Sequence, residues 1–166
     1  NLMKFRREDG TFDAARFQAA CRLFFIAQEI LVDHARYPTK KIAENSHLFR
    51  PIGLGYSNLG SLLMTCGIPY DSSAAHGICG AITSLMHGAA NLTSTELAMS
   101  VGTFEGYAEN REPYLNVMKM HRNAVEEIDN AGPRALKDAA RELEKAAQAD
   151  TADGTILRAN PAAASI

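Results

Sequence analysis

A chain of 166 residues with 46% hydrophobic and 22% charged residues is long enough for one hydrophobic core and short for two. Seventeen basic against 19 acidic side chains leave a formal net charge of −2, which supplies neither the basic field of a nucleic-acid binder nor an acidic tail. Three cysteines, Cys21, Cys66 and Cys79, are an odd and sparse set; a secreted disulfide framework is denser and even, so a reducing compartment is expected.

No charged leader followed by an apolar run opens the chain. Its longest apolar stretch, around Leu23–Val32, is interrupted by Gln28 and Glu29 and falls well short of a membrane span. A cytoplasmic protein with no membrane and no nucleic-acid partner is the expectation. Asn1 stands where an initiator Met would, so we expect the natural beginning to lie upstream.

Residues Leu2–Phe5 read as the end of a strand, closed by the turn signal Glu8-Asp9-Gly10-Thr11. From Asp13, a plausible N-cap, helical spacing sets in: Phe17, Ala20, Cys21, Phe24, Ala27 and Leu31 line one face, and Tyr37-Pro38 ends the element. Pro38, Pro51, Gly53 and Gly55 make residues 38–56 irregular. A short helix is predicted over Ser57–Cys66, ended by Gly67 and Pro69. Asp71-Ser72-Ser73 then offers a cap for a long helix whose stripe is Ile78, Ile82, Leu85 and Ala89, continuing to Met99 before Gly102. A helix apolar over so wide an arc is a buried one. Its glycines, Gly77, Gly80 and Gly88, each weaken it by roughly 1 kcal/mol and make sense where neighbours pack closely. Asn110 is expected to cap the next helix, with Pro113 in its first turn and Tyr114, Val117, Met118, His121, Val125 and Ile128 on its apolar face. Gly132-Pro133 starts a last helix carrying Leu136, Leu143 and Ala147. The expected organisation is mainly α: a single helical domain over 1–149 and a poorly specified tail over 150–166.

Few residues in this pattern point to chemistry. Glu44-Asn45-Ser46-His47 has the Glu-x-x-His spacing of di-iron bundles, but in one copy between prolines. His76 and Cys79 share a helix face, with His87 further along; a packed thiol beside a satisfied histidine is the commoner outcome. Cys21 lies on an apolar stripe, and Cys66 at a helix end has no basic neighbour within five positions to lower its pKa. No catalytic and no metal-ligating residue is assigned, and none is assigned to a cofactor. The most information-rich run is Arg50-Pro51-Ile52-Gly53-Leu54-Gly55-Tyr56-Ser57-Asn58-Leu59-Gly60. Its third glycine stands at 60 where the dinucleotide fingerprint needs 58, and no apolar strand precedes it. Tight packing at Gly53 and Gly55 is the expected reason for the Gly-x-Gly.

Four blocks in order carry a family resemblance. They are Asn45-Ser46-His47 leading into Phe49-Arg50-Pro51-Ile52-Gly53-Leu54-Gly55-Tyr56-Ser57-Asn58-Leu59-Gly60, then Gly67-Ile68-Pro69-Tyr70-Asp71-Ser72, then Tyr107-Ala108-Glu109-Asn110-Arg111-Glu112-Pro113, and His121-Arg122-Asn123-Ala124. Together they resemble the barrel of the large subunit of ribonucleotide reductases in the cobalamin-dependent class. The resemblance implies a helical fragment of that α/β barrel, with little or no sheet of its own. It implies a parent enzyme that reduces ribonucleotides, ribonucleoside diphosphates among them, to deoxyribonucleotides for DNA replication. There adenosylcobalamin generates a cysteine thiyl radical and a cysteine pair supplies electrons. The family's Asn-x-Cys-x-Glu block has no counterpart here, and by resemblance lies upstream of Asn1. Cys21, Cys66 and Cys79 match none of the family's catalytic cysteines. Asp153-Gly154-Thr155-Ile156 echoes half of the family's phosphate loop without its leading Pro-Thr, and no role is carried onto it.

The resulting expectation is a reductase fragment that is inactive alone. It binds no cofactor as an isolated chain, meets a nucleotide only in the full-length parent, and partners the remainder of the barrel or a copy of itself, with the Gly53–Gly60 segment at that contact. The rival is a free-standing helical binding module derived from the same enzyme.

Overall fold

The computed structural model describes residues 1–128. Within them the order is a 3-10 helix (Leu2–Phe5) and five α-helices: α1 (Ala14–His34), α2 (Lys40–Phe49), α3 (Leu59–Thr65), α4 (Ser73–Val101) and α5 (Tyr107–Glu126). Among the described residues β pairing is confined to isolated bridges: an antiparallel one between Arg6 and Phe12, and one in which Pro51 takes part. The mainly helical class is therefore as expected. The last predicted helix and the tail over 150–166 lie outside the described residues.

Leu2–Phe5 is not the end of a strand. The Asn1 side chain accepts from the Met3 amide, and the Lys4 amide bonds the Asn1 carbonyl at 3.2 Å. A segment with no strand beside it closes its own hydrogen bonds locally, and fully buried Leu2 anchors it under Phe17 in the core.

α1 begins at Asp13, whose carboxylate accepts from the Arg16 amide. It buries Phe17, Cys21, Phe25, Glu29 and Val32. That differs from the predicted stripe: Phe24 and Leu31 are each 61% exposed. Two arcs of α1 satisfy helical spacing, and tertiary partners choose between them. Phe25 and Val32 pack with Ile52 and Ala90.

α2 corrects the irregular reading of residues 38–56. Pro38 and Pro51 lie outside the helix at either end and so delimit it. Thr39 caps it by accepting from the Ile42 amide, and Arg50 ends it in the left-handed region at φ 45°, because a residue preceding proline is steered out of the right-handed helix. Residues 51–57 then run extended. Ile52, Leu54 and Tyr56 turn inward while Pro51, Gly53, Gly55 and Ser57 are exposed, the period-2 alternation of a half-buried strand.

α3 is shorter than predicted. Gly67, at φ 69°, closes it: the Ile68 amide bonds Leu63 O and the Gly67 amide bonds Met64 O, the paired bonds of a Schellman cap. α4, capped by Ser72 and stopped by Gly102, is the central element, with Ile82 and Leu85 fully buried. Thr93 and Thr95, on its buried side, return their hydroxyls to the Ala89 and Asn91 carbonyls, so no polar atom of theirs is stranded. The close packing expected at the α4 glycines is found at Gly80, where a Cβ would meet the Ile128 side chain at 3.3 Å.

α5 starts at Tyr107, three residues before the predicted cap. Asn110 lies inside its first turn and donates back to the Gly106 carbonyl at 2.8 Å. Pro113 consequently sits inside the helix rather than in its first turn, on an exposed stretch where water can take the orphaned carbonyl. What sets the early start is tertiary: the Gly106 amide bonds Leu48 O at 3.0 Å, and Phe104, Tyr107 and Tyr114 stack edge to face. A Cβ on Gly106 would lie 2.9 Å from the Phe49 ring, so α2 and α5 meet there only because the residue is glycine. No helix of the described residues is long and apolar enough to cross a membrane.

Candidate functional site

The Arg50–Gly60 run, the richest in the sequence, is the best-anchored segment of the fold. The Arg50 side chain is almost completely buried and holds three groups of α1. Its Nε donates to Glu29 Oε1 at 2.9 Å, one Nη to the Glu29 carbonyl at 3.0 Å, and the other to the Asp33 carboxylate. A guanidinium can bridge three acceptors at once because its donors are fixed in a plane. Desolvation opposes the charge on Arg50, but the bonds from Asp33 and Glu29 outweigh it and hold its pKa above the ordinary value. Three residues on, Gln28 donates to the Gly53 carbonyl at 2.6 Å. At the far end the Leu2 amide bonds the Ser57 carbonyl.

Between those ties the backbone of residues 52–56 makes no hydrogen bond to another backbone group of the described residues. Pro51, at the start of the segment, already stands in a β-bridge. Gly53 and Gly55 have nothing within 4 Å of where a Cβ would stand. The tight packing expected at these two glycines is therefore not found among the described residues. Gly60 alone makes an ordinary contact, 3.9 Å from the Tyr70 ring.

The inward side of the segment ends in a small polar group. Tyr56 shares its hydroxyl with Thr83 at 2.8 Å and lies 3.5 Å from the Cys79 sulfur. Burial, with the adjacent thiol, pushes the Tyr56 phenol up to about 12, so it stays neutral at any ordinary pH. Cys79 thus faces a tyrosine rather than His76, which is exposed and 3.7 Å from Asp71. Cys21 is buried, and desolvation pushes its thiol up to about 12. Cys66 points its sulfur at the Gly10 carbonyl, 3.9 Å away. All three cysteines are free thiols, and for Cys21 burial favours the thiol over the reactive thiolate. Glu44 pairs with Lys40, and His47 lies edge-on to Tyr37, so the Glu-x-x-His pair does not converge. Among the described residues, no group of three His, Cys, Asp or Glu side chains is placed to hold a metal ion.

Sequence reasoning missed one constellation. His87 on α4 and His121 on α5 meet at 2.9 Å between ring nitrogens, so one ring donates and the other accepts. The Asn91 amide donates to the His87 carbonyl at 2.9 Å, and its oxygen accepts from Tyr114 at 3.0 Å. His87 and Asn91 stand four apart on α4, which places them on one face, but nothing local to the sequence says that His121 comes opposite. Two cavities lie among the described residues' helices. One of about 230 Å³ lies under Val32, Tyr37 and Ile52, and one of about 340 Å³ lies between Leu63, Tyr70 and Cys79.

What the geometry defines among the described residues is a layer of helices backed onto one extended segment. The sequence matches the family model for the ribonucleotide reductase barrel domain over residues 1–157. It is 67% identical over 143 residues to a vitamin B12-dependent ribonucleotide reductase of Rhodopirellula baltica, covering 86% of this chain and 14% of that protein. It is 49% identical over 125 residues to the enzyme of the same name in Streptomyces coelicolor, covering 73% and 13%. A Mycobacterium tuberculosis protein named vitamin B12-dependent ribonucleoside-diphosphate reductase is 31% identical over 103 residues, or 62% and 15%. The chain belongs to the ribonucleotide reductase barrel-domain family, and it spans about one seventh of the length of the curated relatives it matches.

Proposed function

We propose that this chain is a wall piece of a cytoplasmic, cobalamin-dependent ribonucleotide reductase, completed by the remainder of the barrel and inactive without it. Residues 1–149 serve as one helical domain and 150–166 as a tail outside it. The observation that carries the reading is the segment 51–57: pinned at Arg50, Gly53 and Ser57, apolar toward the helices, bridged as a strand at Pro51, and with residues 52–56 making no backbone bond to another described residue. Strand addition at such an edge satisfies its amides and carbonyls. The clear face at Gly53 and Gly55 lets the added polypeptide, or a substrate beyond it, come close.

The substrate in this reading is a ribonucleotide, with a ribonucleoside diphosphate favoured by the name of the M. tuberculosis relative. The cofactor is adenosylcobalamin, in keeping with the names of the relatives. In this reading the remainder of the barrel supplies its seat. No step is assigned to this chain's cysteines. What the chain contributes is position: α1 and α4 hold the segment 51–57, and Arg50 fixes its entry.

A chimera tests this. Grafting this chain over the aligned stretch of the R. baltica reductase should preserve cobalamin-dependent ribonucleotide reduction, whereas the 166-residue chain alone should give none above a blank. Turnover by the isolated chain would refute the reading. So would a folded chimera without activity, which would favour a free-standing helical module.

A further inference from the structure

Three residues of the extended segment turn inward, and two of them, Ile52 and Leu54, are apolar. Tyr56 is the third. Among the described residues it is the one side chain of 51–57 that hydrogen-bonds a helix: its hydroxyl lies 2.8 Å from Thr83 Oγ1 and 3.5 Å from Cys79 Sγ, both on α4. Those distances alone leave the direction of the bonds open. Thr83 settles it. Its hydroxyl donates to the Cys79 carbonyl at 2.8 Å, an oxygen that can only accept, so its proton is committed there. Tyr56 then donates to Thr83 Oγ1, and the phenol oxygen is left to accept the Cys79 S–H. Every proton of the three groups finds an acceptor in this arrangement. Reversing it would hand the phenol proton to sulfur, a weaker acceptor than a hydroxyl oxygen.

The consequence falls on the other side of the segment. Successive side chains of an extended chain point to opposite faces, so Gly55 and Ser57, which flank Tyr56, lie on the exposed face. The backbone is tied at the Gly53 carbonyl by Gln28 and at the Ser57 carbonyl by the Leu2 amide. Between those ties Leu54 packs against the core. Apolar contact holds a chain down but is non-directional, so it does not fix how far along α4 the segment sits. A directed hydrogen bond does, because it weakens steeply with misalignment. Tyr56 makes that bond to the central helix of the fold.

We propose that Tyr56 is a positioning residue: its hydroxyl, tied through Thr83 to the Cys79 carbonyl, sets the height on α4 at which Gly53, Gly55 and Ser57 are presented to the rest of the barrel. The inference rests on the barrel reading above and names a residue through which that wall is held. Tyr56 acts through the backbone that carries it. A displacement of about 1 Å at a distance from the chemistry can cost about a hundredfold in rate, and loss of one of three ties is expected to cost less.

Tyr56→Phe removes only the oxygen. In the R. baltica chimera it should lower kcat roughly tenfold with KM within about twofold, and shift the melting temperature by under about 3 °C. Thr83→Val keeps the size of the side chain, loses the acceptor, and should do the same. The double variant should be no worse than either, because both break one circuit. Thr83→Ser keeps the hydroxyl and should restore the parent kcat. Amide exchange on the 166-residue chain gives a readout that needs no turnover: the Leu2 amide, bonded to the Ser57 carbonyl at 3.0 Å, should lose protection about tenfold in Tyr56→Phe and Thr83→Val and keep it in Thr83→Ser. Parent kcat in Tyr56→Phe would overturn the proposal, as would additive losses, a loss that follows the melting temperature, or unchanged Leu2 protection. An unsubstituted chimera without turnover refutes the barrel reading instead, and the exchange arm still decides whether Tyr56 holds the segment. Should Tyr56→Phe lose its fold, the contrast between Thr83→Val and Thr83→Ser stands in for it.

Discussion

Replacing Arg50 by Met tests whether the Arg50–Glu29 pair holds the 51–57 segment in place. The guanidinium and the Glu29 carboxylate are 6% and 7% exposed, and their closest atoms are 2.6 Å apart. Losing one member of such a buried pair costs about 3–5 kcal/mol, since the other charge stays in a poor solvent. Asp33, whose side chain is 46% exposed, rehydrates and adds little. The left-handed backbone at position 50 cancels from the comparison, because Met and Arg are equally strained at φ 45°. For a chain of this size about 1 kcal/mol corresponds to roughly 2–4 °C, so the melting temperature should fall by roughly 6–20 °C. The double variant Glu29→Leu with Arg50→Met removes both charges and should recover to within about 1 kcal/mol of the parent. Urea melts followed by circular dichroism read both values. A single variant that loses less than about 1 kcal/mol, or a double variant no better than the single, would show that the pair anchors nothing.

Ile82→Asp should leave the chain unfolded at room temperature by circular dichroism. The side chain is fully buried, and a lost apolar transfer plus a buried carboxylate is comparable with the whole ~5–15 kcal/mol of a domain. Gly53→Val should leave the melting temperature of the isolated chain within about 2 °C, because no atom of the described residues lies within 4 Å of the new Cβ; the same change should abolish activity in the R. baltica chimera. Cys21, held neutral up to about 12 by burial, should resist alkylation at pH 9 until denaturant is added. The sign for stability follows: unfolding frees a thiol that ionises near its ordinary ~8.5, so this contribution is complete below that pH and lost as pH rises toward 12.

The helices were legible wherever the sequence states both a period and a cap. Asp13 and Ser72 start α1 and α4, and Gly67 and Gly102 stop α3 and α4, because those signals act on atoms a few residues away. α2 was hidden because Pro38 and Pro51 mark its limits, and a proline in a sequence does not say on which side of it the helix lies. The start of α5 was misplaced because Gly106 is held by Leu48 and packed under Phe49, partners that are distant in sequence. His87 and His121 were not paired for the same reason.

The remaining misreadings share a different cause. On α1 the predicted stripe mixed residues of the buried arc, Phe17 and Cys21, with Phe24 and Leu31 of the exposed one. At Gly53 and Gly55 a close contact was expected and open space was found. Both would be defects in a self-sufficient domain: an apolar arc in water costs solubility, and glycine weakens an extended segment that does not need it. They cease to be defects when the residues answer to surfaces lying across from them, such as a strand beside 51–57. A local pattern can say that Leu31 wants cover and that Gly53 admits close approach. Which body supplies the cover is decided by the assembly, and the two needs are adjacent in space, because Leu31 and Gly53 line one cavity of about 230 Å³ beside α1.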